Sequence, residues 1–195
     1  MSSKDQRVRY ELNCGEVRYL SDEEIKAILR AADELIATGG RSMLAKILKG
    51  SKEKKVLEYG LDQCSVYGYY RELKIQEITN RIDWMIKWGY LEIEYKDRLP
   101  VLVFSKIGWE IERETYAGEL LQKLAKLLKG KDYRFVQDLK DRNRGMILLL
   151  IEKIKLTGNA RFIPILKAWK EIEYKKVQAE IQRVINYLMK EGTIY

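Results

Sequence analysis

Apolar positions recur along this chain with two distinct periods. Ile25, Ile28, Leu29, Ala32, Leu35 and Ile36 fall three and four apart, the spacing that collects side chains on one face of a helix. Ser21-Asp-Glu-Glu24 precedes them as a capping box, in which serine and glutamate serve amides that lack a partner in the first turn. Gly39-Gly40 ends that helix. Ser42 can cap a second short helix through Leu48, stopped by Gly50-Ser51, and residues 52–59 read as a further helical turn or two before Gly60. Tyr67-Gly-Tyr-Tyr70 is a tight aromatic connector. Ile75, Ile78, Ile82, Met85 and Ile86 then mark an amphipathic helix running to Trp88 and closed by Gly89, with Asn80, Arg81 and Lys87 on its polar face and Trp84, Met85 and Trp88 assigned to the core.

From Tyr90 the period changes. Residues 90–95 and 99–104 are rich in β-branched and aromatic side chains on either side of Lys96-Asp97-Arg98, which predicts a β-hairpin, and Pro100 sits near a strand start where its missing N–H is tolerated. Helices followed by such a hairpin, within residues 21–104, have the order of a winged helix, one version of the helix-turn-helix scheme. Beyond Ile107 every signal is helical. Helices are expected over residues 116–128, 133–156, 161–172 and 174–189, broken at Gly130, Gly158 and the turn at 171–174, with Pro164 in the first turn of the third. The last pair, with Pro164, Leu166, Trp169, Val177, Ala179, Ile181 and Ile185 on its apolar side, has the cadence of one HEAT-type helical hairpin. Residues 1–20 alternate weakly around Asn13-Cys-Gly15 and suggest a small hairpin or an extended arm. The predicted class is mainly α (α+β): an arm over residues 1–20, a winged helix-turn-helix domain over 21–115 and a basic all-α, HEAT-like domain over 116–195.

Composition narrows the chemistry. Histidine is absent from the 195 residues, which excludes Ser-His-Asp and Cys-His catalysis, and two cysteines, Cys14 and Cys64, cannot form a tetrathiolate site and have no redox-pair spacing. No metal or other cofactor is expected, nor an enzyme: no group of two or three carboxylates stands out as a nuclease metal site, and Asp22-Glu23 or Glu110, Glu112 and Glu114 are explained by capping and solvation. The longest aliphatic run, residues 146–151, is far shorter than a membrane span, and the charged first 21 residues are unlike a signal peptide, so a cytoplasmic protein without membrane contact is expected.

The net charge of +8 favours an acidic partner, nucleic acid before anionic membrane. Residues 1–115 carry 20 basic and 20 acidic side chains, whereas residues 116–195 carry 17 and 9, so the whole excess lies in the second part. Within the balanced part, residues 41–55 hold Arg41, Lys46, Lys49, Lys52, Lys54 and Lys55 against Glu53 alone. A charged partner meets at least two basic surfaces.

The run Gly39-Gly-Arg-Ser-Met-Leu-Ala-Lys-Ile-Leu-Lys-Gly-Ser51, then Leu61-Asp62, Tyr67-Gly68, the helix over 75–88 ending Gly89-Tyr90-Leu91, and the Leu99-Pro-Val-Leu102 hairpin together resemble the RQC domain of RecQ-type DNA helicases. The resemblance covers residues 21–113 and is similar in kind to the stand-alone RQC-minor group of DNA-binding proteins. Two departures matter: the sequence has no G-x-x-x-x-G-K-[ST] phosphate loop and too few cysteines for the four-cysteine zinc module, so the resemblance carries over neither motor nor metal. It implies a winged helix that grips duplex ends or fork junctions through phosphates, using the start of the Ser42 helix, the Gly-Ser loop after it and the wing.

Candidate contacts follow. Arg41 and Ser42 precede a helix whose amides and positive dipole end attract an anion, with Lys46 on the same short helix. Ser51, Lys52 and Lys54 follow Gly50, where the backbone can approach a phosphate closely, and Tyr67 belongs to the same pattern. Asn80 and Arg81 are placed to read bases if the helix enters a groove. Lys96 and Arg98 flank the wing tip and are assigned to phosphates in preference to a strand-separating wedge of Tyr95 or Leu99. Arg142 and Arg144 flank Asn143 on a long helix, while Lys167, Lys170, Lys175 and Lys176 surround a helical turn; these either line a DNA groove or form a solvated face beside a protein partner. The expected function is non-catalytic recognition of double-stranded or forked DNA in repair, replication or recombination, in company with a helicase or other repair protein. The alternatives are a sequence-specific winged-helix transcription regulator and a protein interaction module.

Overall fold

The computed structural model describes residues 10–130, 133–140 and 142–191. The chain is mainly helical, with one two-stranded sheet among the described residues, and divides into two compact units, Met1–Glu112 and Arg113–Tyr195.

The first unit is built on three packed helices. Helix α1 (Asp22–Asp33) opens with the complete capping box: the Glu24 amide donates to the Ser21 hydroxyl and the Ser21 amide donates to the Glu24 carboxylate. Helix α2 (Arg41–Lys49) starts one residue before the position read as its cap, with Gly40 as N-cap and no side chain on its first amides. Gly50 ends α2 in the left-handed conformation at φ 74°, and a side chain there would approach the Gly68 backbone at 3.0 Å, so glycine serves both the turn and the close approach. Helix α3 (Lys54–Glu58) is a single turn, and α4 (Ile75–Lys87) follows the aromatic connector. Ile28, Leu29, Leu44, Ile47, Leu48, Ile78, Ile82 and Met85 close the core between α1, α2 and α4.

Trp84 and Met85 are buried as expected, but Trp88 is 61% exposed. It is the C-cap of α4, past the last turn that the core covers, and its ring rests 5.7 Å from that of Trp84 at the helix end.

Strands β1 (Leu91–Lys96) and β2 (Leu99–Phe104) pair antiparallel with Lys96 opposite Leu99, so the turn is Asp97-Arg98, with Asp97 at φ 57°. Aspartate is among the few side chains that tolerate that region. Leu102 exchanges backbone bonds with residues 37–39 across the outer edge of β2: Ala37 N–H donates to Leu102 O at 2.8 Å and Leu102 N–H to Gly39 O at 2.9 Å. Pro100, two residues away, faces the same edge, where no ladder bond is lost. The loop between α1 and α2 thereby fixes the hairpin beside the start of α2. Residues 10–20 form no strand; they run extended around a turn at Gly15 and pack on α4. Residues 1–9 of the anticipated hairpin or arm lie outside the described residues.

Helix α5 (Lys106–Leu127) begins ten residues before the predicted start at 116, because Ser105 accepts from the Gly108 amide at 3.0 Å and caps its first turn. Glu112, fully buried on α5, lies 4.0 Å from Nε of Arg30, whose guanidinium also reaches Glu34 at 2.9 Å.

In the second unit the single helix expected over residues 133–156 is two elements, a 3₁₀ stretch at Arg134–Leu139 and helix α6 (Arg144–Leu156). Asn143 decides the break: its side chain accepts from the Gly145 and Met146 amides, making it an N-cap instead of a mid-helix residue. Helices α7 (Ile163–Ile172) and α8 (Lys175–Glu191) follow, with Pro164 in the first turn of α7 and α8 packed on both α6 and α7. Leu166, Trp169, Val177, Ile181 and Ile185 are buried in that packing, whereas Pro164 and Ala179 are exposed.

Glu24 ties α1 to α4 and to the connector. Burial opposes its charge, but the Ser21 amide, the Tyr70 hydroxyl at 2.9 Å, the Ser21 hydroxyl and Arg81 at 3.4 Å outweigh it and hold its carboxyl below the ordinary value of 4.5. The same contact, with desolvation first, pushes the Tyr70 hydroxyl well upward. A depressed carboxyl contributes stability that is present above its unfolded pKa and lost as pH falls through the folded one. The stability gap between the wild type and Glu24→Gln is therefore expected to be constant above about pH 5 and to shrink below it, as read from urea midpoints over a pH series. A gap independent of pH down to 3 would show that Glu24 carries no such linkage.

Candidate nucleic-acid interface

The start of α2 opens into a groove of the first unit. Gly40, Arg41, Ser42, Lys46 and Lys55 line one side and Pro100, Val101 and Leu102 of the hairpin the other. The first turn of α2 carries no acidic residue and no side-chain cap, so its leading amides and positive dipole end face the groove. Ser42 is exposed there. Lys46 forms an ion pair with Glu53 at 2.7 Å, while Lys55, on the face of α3 toward the groove, makes no ion pair among the described residues. The candidate charges of the neighbouring loop are close in sequence: Lys52 is exposed, and Lys54, also exposed, faces Glu58 at 3.4 Å.

The Gly50-Ser51 loop is held rigidly. Ser51 N–H donates to the Lys46 carbonyl at 2.9 Å, Ser51 O accepts from the Tyr67 hydroxyl at 3.0 Å, and the Ser51 hydroxyl accepts from the Glu53 amide at 3.3 Å. Tyr67 thus acts on the loop from behind. Lys49, at the end of α2, is taken up by the Arg71 and Leu73 carbonyls.

Arg41 is engaged within the fold. Its guanidinium meets Asp83 of α4 at 2.5 Å, donates to Glu11 O at 3.0 Å and lies over the Tyr10 ring at 5.4 Å. Asp83 is only 2% exposed, and its other oxygen accepts from the Asn13 amide at 2.8 Å. The polar face of α4 is also covered. The Asn80 amide lies 2.9 Å from the Asn13 carbonyl, a side chain at Gly15 would strike it, and Arg81 is spent on Glu24, on the Glu77 carbonyl at 3.0 Å and on the Tyr70 ring.

At the hairpin tip Lys96, Asp97 and Arg98 are exposed, as is Leu99 at 64%. Tyr95 reaches back to Tyr10, ring centroids 6.3 Å apart, which joins the base of the tip to the neighbourhood of Arg41. In the second unit Arg142 is bound to the Asp138 carbonyl and the Tyr116 hydroxyl, whereas Arg144, the first residue of α6, is exposed and makes no ion pair among the described residues.

The family description RQC domain matches residues 21–132, more than half of the chain. The chain belongs to the RQC family. A curated relative, the ATP-dependent DNA helicase RecQ of Bacillus subtilis (strain 168), is 31% identical to this RQC protein over 110 residues, which are 55% of the chain and 18% of the helicase. The RQC chain therefore spans under a fifth of the length of that relative. No solved structure matches it significantly. Among the described residues no group of His, Cys, Asp and Glu could hold a metal ion, and no helix is long and apolar enough to cross a membrane.

Within this RQC protein the groove gathers Arg41, Ser42 and Lys46, leaves Ser51, Lys52 and Lys54 on the adjoining loop and turn, and puts Asn80 and Arg81 under the arm. Lys55, Gly40 and Tyr10 were missed as groove residues. Lys55 stood in the basic run and falls three residues after Lys52, a helical interval that could have singled it out. Nothing local marks Gly40 or Tyr10, whose neighbours come from the hairpin and from α2.

Proposed function

We propose that this chain is a non-catalytic DNA-binding protein that recognises duplex ends or fork-like DNA mainly through phosphates, in repair, replication or recombination, alongside a helicase or another repair protein. In this reading residues 21–115 are a winged helix, with α2, α4 and the β1–β2 hairpin as its parts, and the α7–α8 pair is one HEAT-like hairpin of a basic domain over residues 116–195. The observation that carries it is the groove where the uncapped start of α2, Ser42, Lys46 and Lys55 meet the base of the hairpin. Backbone amides at a helix start together with lysines suit a phosphate and carry no sequence information. Lys52, Lys96 and Arg98 extend the same chemistry to either side.

The transcription-regulator reading needs Asn80 and Arg81 in a groove. The arm lies across Asn80, whose amide meets Asn13, and Arg81 is engaged by Glu24 and the Glu77 carbonyl. Similarity to a DNA helicase favours DNA over an exclusively protein partner.

Fluorescence anisotropy with a fork, a blunt duplex, single-stranded DNA and a duplex closed by loops at both ends, all of random sequence and over a salt series, tests this. The fork or the blunt end should bind tightest, with a log–log salt slope of about −4 for four or five neutralised phosphates. Equal affinity for the closed duplex would remove end recognition, and no binding to any of them would remove the proposal.

A further inference from the structure

The second unit holds a cavity of about 590 Å³, within the range of small-ligand sites. Arg142, Arg144, Lys175 and Lys176 surround it, and Leu139, Ile147 and Val177 make its apolar floor. Four cations at one cavity repel one another, and among the described residues Arg144, Lys175 and Lys176 form no ion pair that would relieve this. Among the described residues one carboxylate, Glu173, lines the same cavity. Glu173 is 9% exposed, fixed by the Trp169 indole N–H at 2.8 Å and by the Tyr174 amide at 3.2 Å, so each oxygen keeps lone-pair capacity beyond those bonds. The exposed Tyr174 ring stands beside it.

This arrangement separates two chemistries. The rim calls for an anion, and guanidinium and ammonium groups together with the leading turn of α8, which carries no acidic residue, suit phosphate oxygens. Glu173 repels a second anion at the floor and accepts from an N–H donor. An acidic peptide satisfies the rim but brings to the floor an apolar side chain, which leaves the carboxylate dry, or another carboxylate, which it repels. A nucleotide carries phosphate, a flat ring for Tyr174 and N–H donors on the base edge.

We infer that this cavity binds a nucleotide, its phosphate at Arg144, Lys175 and Lys176 and its base against Tyr174 and Glu173. The nucleotide is either free or the terminal unit of a single strand. The inference goes beyond the DNA-binding reading, which rests on the first unit.

Calorimetric titration of the full chain at low salt with adenosine diphosphate, a 5′-phosphorylated tetra-deoxyadenylate, inorganic pyrophosphate and an acidic octapeptide containing one phenylalanine tests it. At least one nucleotide probe should bind ten times more tightly than pyrophosphate or the peptide, and which one binds identifies the source. Arg144→Glu with Lys176→Glu should weaken that binding at least tenfold; both substitutions put a carboxylate at a helix start, where it favours folding, and a thermal melt verifies that. Glu173→Gln should weaken the nucleotide without weakening pyrophosphate, which loses a repelling charge. The inference is overturned if pyrophosphate binds as well as both nucleotides, if only the peptide binds, if nothing binds, or if the double variant binds like the wild type. Fork anisotropy in parallel keeps the two readings apart: a chain that grips forks and ignores nucleotides loses this inference alone, and the converse loses only the other.

Discussion

Lys52→Glu combined with Lys55→Glu lowers fork affinity about 100-fold and makes the salt slope shallower by about 2, without changing the urea midpoint appreciably. Both side chains are exposed and make no ion pair among the described residues, so no internal contact is lost with them. Each supplies one charge-assisted contact to a phosphate in the proposed complex, worth about 1.5–3 kcal/mol, and two such losses reach two powers of ten. Glutamate adds repulsion close to the α2 start, where among the described residues no acidic side chain lines the groove. The slope separates this cause from misfolding, since a partly unfolded protein loses active fraction and keeps its slope. Anisotropy over a salt series with the double variant is the measurement, and unchanged affinity in a folded variant would move the DNA away from this groove.

Arg41→Ala is expected to act on stability before it acts on binding. The substitution leaves the buried Asp83 carboxylate with the Asn13 amide as its remaining described partner and removes the guanidinium that links α2, α4 and the arm. Breaking one side of a buried ion pair costs about 3–5 kcal/mol; the low end applies because Arg41 itself is partly exposed. A loss of about 3 kcal/mol lowers the urea midpoint by about 1–2 M for a protein of this size. Adding Asp83→Asn to Arg41→Ala removes the stranded charge, so the double variant should be more stable than the single one, a sign that only coupling between the two residues gives. Undiminished stability in Arg41→Ala together with weakened DNA binding would return Arg41 to the role of a phosphate ligand.

These two cases divide what was legible in the sequence from what was not. Lys52 was readable as an exposed cation because a lysine after Gly-Ser has nowhere apolar to go. Arg41 carried the same charge in the same run and is paired within the fold, because Asp83 lies 42 positions away and only the packing of α4 against α2 brings it within reach. Trp88 had the periodicity of a core residue, yet the helix outruns the surface that would cover it. Asn80 and Arg81 share the face of α4 read for base contact, where residues 13–15 lie over Asn80 while Glu24 and the Glu77 carbonyl engage Arg81.

The sequence by itself determined the local elements and the distribution of charge. Ser21 and Glu24, the glycines at 50 and 89, the alternation around Asp97 and the basic excess each act through neighbours a few residues away or through composition, so they survive in the unfolded chain as readable pattern. Tertiary structure decided which cations remain available, where the hairpin stands and where the long C-terminal helix breaks. The first two depend on contacts between residues far apart in the chain, such as Arg41 with Asp83 and Leu102 with residues 37–39, whose energy appears only once the core has closed. The break at Asn143 is a local choice between mid-helix and N-cap, and the packing of α6 settles it by giving the cap a helix to start.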